Sequence, residues 1–208
     1  MVQKKNILVF PCGSEIALDI YSSVKYSTYF NLIGANSVDD HGQYVFENYI
    51  DGVPFIDDAA FIPSLAKIVK EHNIDAIYPA MDTVITKTKL HEKELGCKVI
   101  APSEKTTEIC LSKKLTYECL QGVINTPKVY EPQNIPLSEF PVFAKPIVGY
   151  SARGTKKLNS QQEVSSYLEK MKDMLVVEYL PGEEFTVDCF TNKEGKLLYC
   201  GARKRNRV

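Results

Sequence analysis

From Asn6 to Pro102 short apolar runs alternate with helix-spaced apolar positions, and this alternation constrains the fold more than any other feature of the sequence. Asn6-Ile7-Leu8-Val9-Phe10 is a continuous apolar run closed by Pro11-Cys12-Gly13, the pattern of a buried strand and a tight turn. Ser14 can cap a helix that carries Ile16, Ala17, Ile20 and Val24 on one face. Tyr29 to Gly34 reads as a second strand, Asn36 to Gly42 as a polar loop, and Val53-Pro54-Phe55-Ile56 as a short extended piece. Phe61, Leu65, Ile68 and Val69 then recur at helical spacing. Ile74 to Pro79 is the next strand, Asp82 can cap a helix running to about Leu95, and Lys98 to Pro102 closes the series. Such alternation predicts an α/β fold with a mostly parallel sheet covered on both faces. Ligands of such sheets gather at the strands' carboxyl ends, so Cys12, Gly13, Ala80 and Asp82 are the exposed candidates there. Turn chemistry and capping account for the same residues. The strand–turn–helix opening is Rossmann-like but lacks the G-x-G-x-x-G fingerprint, which argues against dinucleotide binding.

Bulk properties exclude several classes of function. A formal net charge of −1 over 208 residues provides no overall field for nucleic acid or anionic membrane. No apolar run approaches the ~20 residues of a spanning helix. Ile7 to Phe10 is too short for a signal-peptide core, so a cytoplasmic setting is expected. The six cysteines form no C-x-x-C pair, and most sit in apolar patterns that predict buried free thiols rather than disulfides or zinc ligands.

The second half of the chain changes character. Ser103 to Leu111 reads as a short helix, and Ser112 to Leu120 as another that Gly122 can end before Ile124-Asn125-Thr126-Pro127. Glu131 to Pro141, with Pro132, Pro136 and Pro141, is extended or a loop. Then Phe140-Pro141-Val142-Phe143-Ala144 leads into Lys145, and the loop to Gly154 holds Gly149, Ser151 and Arg153. A lysine at a strand end beside such a loop suits phosphate, because the ammonium supplies charge and loop N–H groups supply aimed donors. Thr155 to Leu158 returns as a strand, and Ser160-Gln161-Gln162-Glu163 is a capping box for a helix bearing Val164, Tyr167, Leu168 and Met171. Met174 to Glu178 reads as a strand, Pro181-Gly182 as a break flanked by carboxylates, and Glu184 to Thr191 with Lys196 to Cys200 as a hairpin. Arg203 to Arg207 reads as a solvated, frayed tail.

The phosphate-loop lysine followed by an apolar strand and an acidic hinge resembles the ATP-grasp family, most closely its carbamoyl-phosphate-synthase-like branch. That resemblance implies three regions: a Rossmann-like pre-ATP-grasp domain over residues 1–111, the first ATP-grasp lobe and hinge over 112–180, and an incomplete second lobe over 181–208. It implies ATP as nucleotide, with Lys145 on the α- and β-phosphates and Ser151, Arg153 and Gly154 in the loop over them. The backbone around Glu178 and Leu180 would read adenine, and Glu184 would hold ribose. Lys113 would be the first nucleotide lysine, with Lys114 competing for the role. Ser112 stands where an aspartate is common, Ser151-Ala152 where Gly-Ser is frequent, and Val177 where many members have a polar side chain.

The reaction implied is ligation of a small-molecule carboxylate to an amine or thiol through an acyl phosphate. Magnesium would be held by a glutamate and a Glu-x-Asn pair expected beyond residue 208, which would leave residues 1–208 inactive alone. Exposed strand edges in an incomplete second lobe leave room for a homodimer. The alternative is a non-catalytic nucleotide-binding or regulatory module.

Overall fold

A computed structural model describes residues 3–149 and 152–205 of the chain, in two compact units, Met1–Ile124 and Asn125–Val208. In the first unit β1 (Lys5–Phe10), α1 (Glu15–Val24), β2 (Phe30–Ala35), β3 (Asn48–Ile50), α2 (Phe61–Glu71), β4 (Ala76–Pro79), α3 (Asp82–Leu90), α4 (Glu92–Leu95) and β5 (Lys98–Val99) follow one another. Helices α5 (Glu104–Leu111) and α6 (Lys113–Leu120) complete it and pack together. The five strands form a parallel sheet in the order β3-β2-β1-β4-β5. The central strand β1 is buried on both faces, as the unbroken apolar run requires. Leu8 and Phe10 join the core under α2, with Phe61, Leu65 and Val69. Ile7 and Val9 join the opposite core with Ala17, Leu32 and Phe46.

Local signals place most of these elements. Ser14, Ser103 and Ser112 each cap the helix that follows, accepting from Ala17, Thr106 and Leu115 N–H groups. Asp82 instead begins α3 without capping it; the N-cap is Met81 and makes no side-chain bond. The helix expected to run to Leu95 is divided at His91, and Glu92 folds back to bond Lys89 and the Val99 N–H. The expected extended piece at Val53 to Ile56 forms no strand, whereas Asn48–Ile50 pairs with β2 at the sheet edge.

At the carboxyl ends of the strands, Cys12 and Ala80 are buried rather than exposed. Burial, and then the nearby Asp40 carboxylate, push the Cys12 thiol up to about 12, which makes it inert packing. A Cβ at Gly13 would sit 1.8 Å from the Asp40 carboxylate, which would have to shift from its bonds to Asn36 and the Gly42 N–H.

One buttress of the sheet is electrostatic. Asp75 accepts from Lys5 Nζ at 2.7 Å and from the Asn6 N–H at 2.8 Å. These bonds, the one to Lys5 first, hold its carboxyl below the ordinary carboxylate range. A depressed carboxylate stabilises the fold above its unfolded pKa of about 3.9, and that contribution is lost as pH falls through the folded value. Asp75→Asn should therefore destabilise the first unit at pH 7, and the gap from wild type should close below about pH 4. Urea midpoints measured at both pH values check this; a gap independent of pH would assign the effect to shape rather than charge.

In the second unit β6 (Val129–Tyr130), β7 (Val142–Pro146), β8 (Lys156–Leu158), α7 (Gln161–Leu168) and β9 (Met174–Glu178) form an antiparallel sheet, order β6-β9-β7-β8, with one helix. Val142, Ala144, Leu158 and Val176 meet Val164 of α7 in its core. Ser160 caps α7, while Glu163 reaches back to the Asn159 N–H, one residue earlier than a reciprocal capping box would. Strands β10 (Phe185–Thr191) and β11 (Leu197–Lys204) make a separate hairpin.

All six cysteines are free, yet only Cys12 is buried; Cys97 is half-buried and Cys110, Cys119, Cys189 and Cys200 are exposed. Apolar patterning misplaced these four because α5, α6 and the hairpin present large surfaces without a covering layer among the described residues. No described helix is long and apolar enough to cross a membrane.

Candidate nucleotide site

The site grows from the pleat of β7. Val142 and Ala144 face the core, so Phe143 and Lys145 stand on the opposite face. Phe143 pairs with Val177 of β9 and Lys157 of β8, and Lys145 pairs with Leu175. Tyr179 continues the same face beyond β9, its ring 6.4 Å from that of Phe143. Lys157 Nζ lies 4.4 Å from the Tyr179 ring centroid, a cation over an aromatic face. One sheet face thus carries Phe143, Val177 and Tyr179 with two lysines.

At the exit of β9 the backbone changes partners. The Glu178 N–H donates to the Lys128 carbonyl at 2.9 Å, and the Glu178 side chain accepts from the Lys128 N–H at 3.0 Å. The ladder ends at Glu178, so the backbone of Tyr179 and Leu180 lies beyond it. Below this exit Glu139 accepts from Lys128 Nζ at 2.7 Å and from the Tyr130 hydroxyl at 2.6 Å. Those two bonds hold the Glu139 carboxyl below its usual range, while burial and then Glu139 push Tyr130 up to about 12.

Glu184 precedes β10. Its carbonyl accepts from the Arg205 N–H at 2.8 Å, and its carboxylate accepts from the Arg205 guanidinium at 2.8 Å. Lys204 pairs with Glu183, and Arg203 with Asp188 at 2.9 Å. The basic finish is therefore not a frayed tail up to Arg205. Antiparallel register carries Arg203 and Lys204 into β11 opposite Thr186 and Phe185, within reach of the acidic side chains around them. These are exposed pairs, and each is worth about 0–1 kcal/mol at most.

A cleft of about 640 Å³ gathers these pieces. Four of the sequence-predicted residues line it: Lys145, Glu178, Leu180 and Glu184. Pro127, Phe143, Val177 and Tyr179 add apolar wall, and Glu183, Lys204 and Arg205 add charge at the rim. Such a wall with a cation on it and polar backbone beside it suits a ligand with a flat ring and an anionic tail.

Arg153 and Gly154 lie on the loop after β7 and are not among the lining residues. Gly154 takes φ +68°, a left-handed conformation that favours glycine, and its carbonyl accepts from the Tyr167 hydroxyl at 3.0 Å. Ser151 lies outside the described residues. Lys113 is half-buried in the first turn of α6, in the first unit, and Lys114 beside it is exposed. Sequence reasoning missed Phe143 and Tyr179 as lining residues, and Lys157 as the cation over the Tyr179 ring. Their shared face follows from strand register, which local patterns do not encode. Among the described residues no group of three or more His, Cys, Asp or Glu side chains could hold a metal ion.

Comparison with known proteins agrees with this architecture. Residues 170–208 match the family described as ATP-grasp in the biosynthetic pathway with Ter operon. A D-alanine–D-alanine ligase of Fusobacterium nucleatum is 32% identical over 94 residues, 45% of this chain and 32% of the ligase. The biotin carboxylase domain of Hydrogenobacter thermophilus 2-oxoglutarate carboxylase, solved with MgADP, ADP and bicarbonate, superposes with a TM-score of 0.74 at 18% identity. It covers 96% of this chain and 50% of that one. The L-amino acid ligase of Bacillus licheniformis gives 0.69 at 16% identity, over 100% of this chain and 52% of that one. N5-carboxyaminoimidazole ribonucleotide synthetase of Thermotoga maritima gives 0.68 at 18%, over 97% and 53%. The chain thus spans about half the length of these solved structures and a third of the curated ligase. These likenesses do not single out the carbamoyl-phosphate-synthase-like branch. The chain thus has the mixed α/β fold with a parallel sheet of these structures, and its residues 170–208 match an ATP-grasp family.

Proposed function

We propose that the chain is the ATP-binding portion of an ATP-grasp ligase joining a small carboxylate to an amine or thiol through an acyl phosphate. The observation that supports this reading is the convergence of Lys145, the β9 exit at Glu178–Leu180, and Glu184 on one cleft. In it, Lys145 meets the α- and β-phosphates, and the loop through Ser151, Arg153 and Gly154 covers them. Phe143, Val177 and Tyr179 pack the ring. Glu184 takes the ribose hydroxyls, giving up its exposed pairing with Arg205.

The carboxylate substrate attacks the γ-phosphorus, ADP leaves, and the amine or thiol then displaces phosphate from the acyl phosphate. Charge developing on the phosphoryl oxygens is met by lysines and backbone N–H groups. Magnesium would add to that neutralisation, but the described residues offer no group of three or more His, Cys, Asp or Glu side chains that fits it. On this reading residues 1–111 are the pre-ATP-grasp domain, 112–180 the first lobe and hinge, and 181–208 the opening of the second lobe.

Adenine selectivity tests the ring site directly. The Glu178 N–H is already bonded to Lys128, so the edge that reads the base includes the backbone beyond it. A strand edge can offer an N–H and a C=O in the order adenine matches, whereas guanine carries a carbonyl at position 6. ATP should bind about tenfold or more tightly than GTP, the cost of one mismatched hydrogen bond. Comparable affinities in a competition titration would remove the ring from this edge.

A further inference from the structure

We propose that Cys189 and Cys200 form a redox modification site that closes a cross-strand disulfide across the β10–β11 hairpin. The two residues face one another in the antiparallel register, and their Sγ atoms lie 4.0 Å apart in the reduced form. The register also fixes the kind of pair. The Arg205 N–H bonds the Glu184 carbonyl, one step before the Phe185–Lys204 pair. Antiparallel pairs alternate between hydrogen-bonded and non-hydrogen-bonded positions. Following the unbroken register from there puts Cys189–Cys200 at a non-hydrogen-bonded position, where Cα atoms are about 4.5 Å apart. Disulfides bridge Cα separations of about 4.4–6.8 Å. Side-chain rotation can therefore bring the sulfurs together without moving the strands apart.

Both thiols are exposed, so an oxidant reaches them. The oxidant class is a low-molecular-weight disulfide, RSSR. One cysteine thiolate attacks it, forming a protein–S–SR bond and releasing RS⁻. The second thiolate attacks the protein sulfur of that mixed disulfide, forming the Cys189–Cys200 bond and releasing a second RS⁻. The two thiol protons end on the two released thiolates; the protein sulfurs are oxidised and RSSR is reduced to two RSH. The bridge ties together two strands whose shared open end carries Glu184 on the β10 side and Lys204 and Arg205 on the β11 side. Its formation does not depend on which ligand the cleft takes.

The test is incubation of the folded protein with oxidised glutathione, alkylation of the remaining thiols with a maleimide, and peptide mapping by mass spectrometry. The expected result is a linked pair of peptides containing Cys189 and Cys200, with Cys110 and Cys119 still alkylated. In Cys200→Ser, Cys189 should instead carry a stable glutathione adduct. Four wild-type outcomes would overturn the proposal: no loss of thiols, separate glutathione adducts on both residues, a bridge to another cysteine, or a covalent dimer on a non-reducing gel. The wild-type map decides the matter even where the variant fails to fold.

Discussion

Phe61→Ala should cost the first unit about 3–5 kcal/mol, the range for truncating a buried aromatic side chain. Phe61 is fully buried at the start of α2 and is the largest of the fully buried side chains. Its ring lies 5.5 Å from that of Phe10 on the central strand, tilted by 47°, in the core that also holds Leu8, Leu65 and Ile77. Lys87 Nζ stands 5.6 Å from the ring centroid and bonds the Ile56 carbonyl. Truncation therefore removes transfer energy, leaves a cavity under the sheet, and strips a cation of its aromatic face. A typical domain has only about 5–15 kcal/mol to lose, so the variant should unfold at a much lower urea concentration. Tyr44→Ala is the control: Tyr44 is 84% exposed and its truncation should stay within about ±0.5 kcal/mol. A loss for Phe61→Ala below about 1 kcal/mol would mean that the core closes over the gap, against the close packing assigned to it.

The same residues show why the sequence was legible where it was. Ile7 to Phe10 had to be a central strand, because a continuous apolar run needs two buried faces, and both cores receive it. The serines before α1, α5, α6 and α7 announced their helices, because a cap is a contact between residues three apart. Asn48–Ile50 and Val129–Tyr130 are strands for the opposite reason. Each is short and gains its conformation from a distant partner, β2 in one case and β9 in the other. The site divides along the same line. Lys145 sits at a strand end beside a glycine loop, which leaves a mark in the sequence, whereas Glu178, Leu180 and Glu184 are reached only through the resemblance to ATP-grasp proteins. The stack of Lys157 on Tyr179 beside Phe143 depends on the register of three strands and leaves none. The pairing of Arg203 and Lys204 with Asp188 and Glu183 is equally a matter of register; a cluster of basic residues read alone looks like a solvated tail.

On the proposed reading, Lys145→Ala should weaken ATP binding by about 1–3 kcal/mol, or roughly 5- to 150-fold in Kd, the loss of one charge-assisted contact. Lys145 occupies the cleft face of β7, one pleat beyond Phe143, and is half-buried, so its charge is less screened than that of a surface lysine. The core residues of this unit lie on the other face of the strand, which separates a binding effect from a folding effect. Two ligands make the assignment sharper. Adenosine has no phosphate, so it should bind wild type and Lys145→Ala with the same affinity in a calorimetric titration. Lys145→Arg keeps the charge and should recover part of the ATP affinity, but not all, because a planar fork replaces a compact ammonium. If adenosine weakens as much as ATP does, the substitution has disturbed the ring pocket beside Phe143 rather than a phosphate contact. If ATP affinity does not change at all, the phosphates lie elsewhere and the lysine marks only the end of a strand.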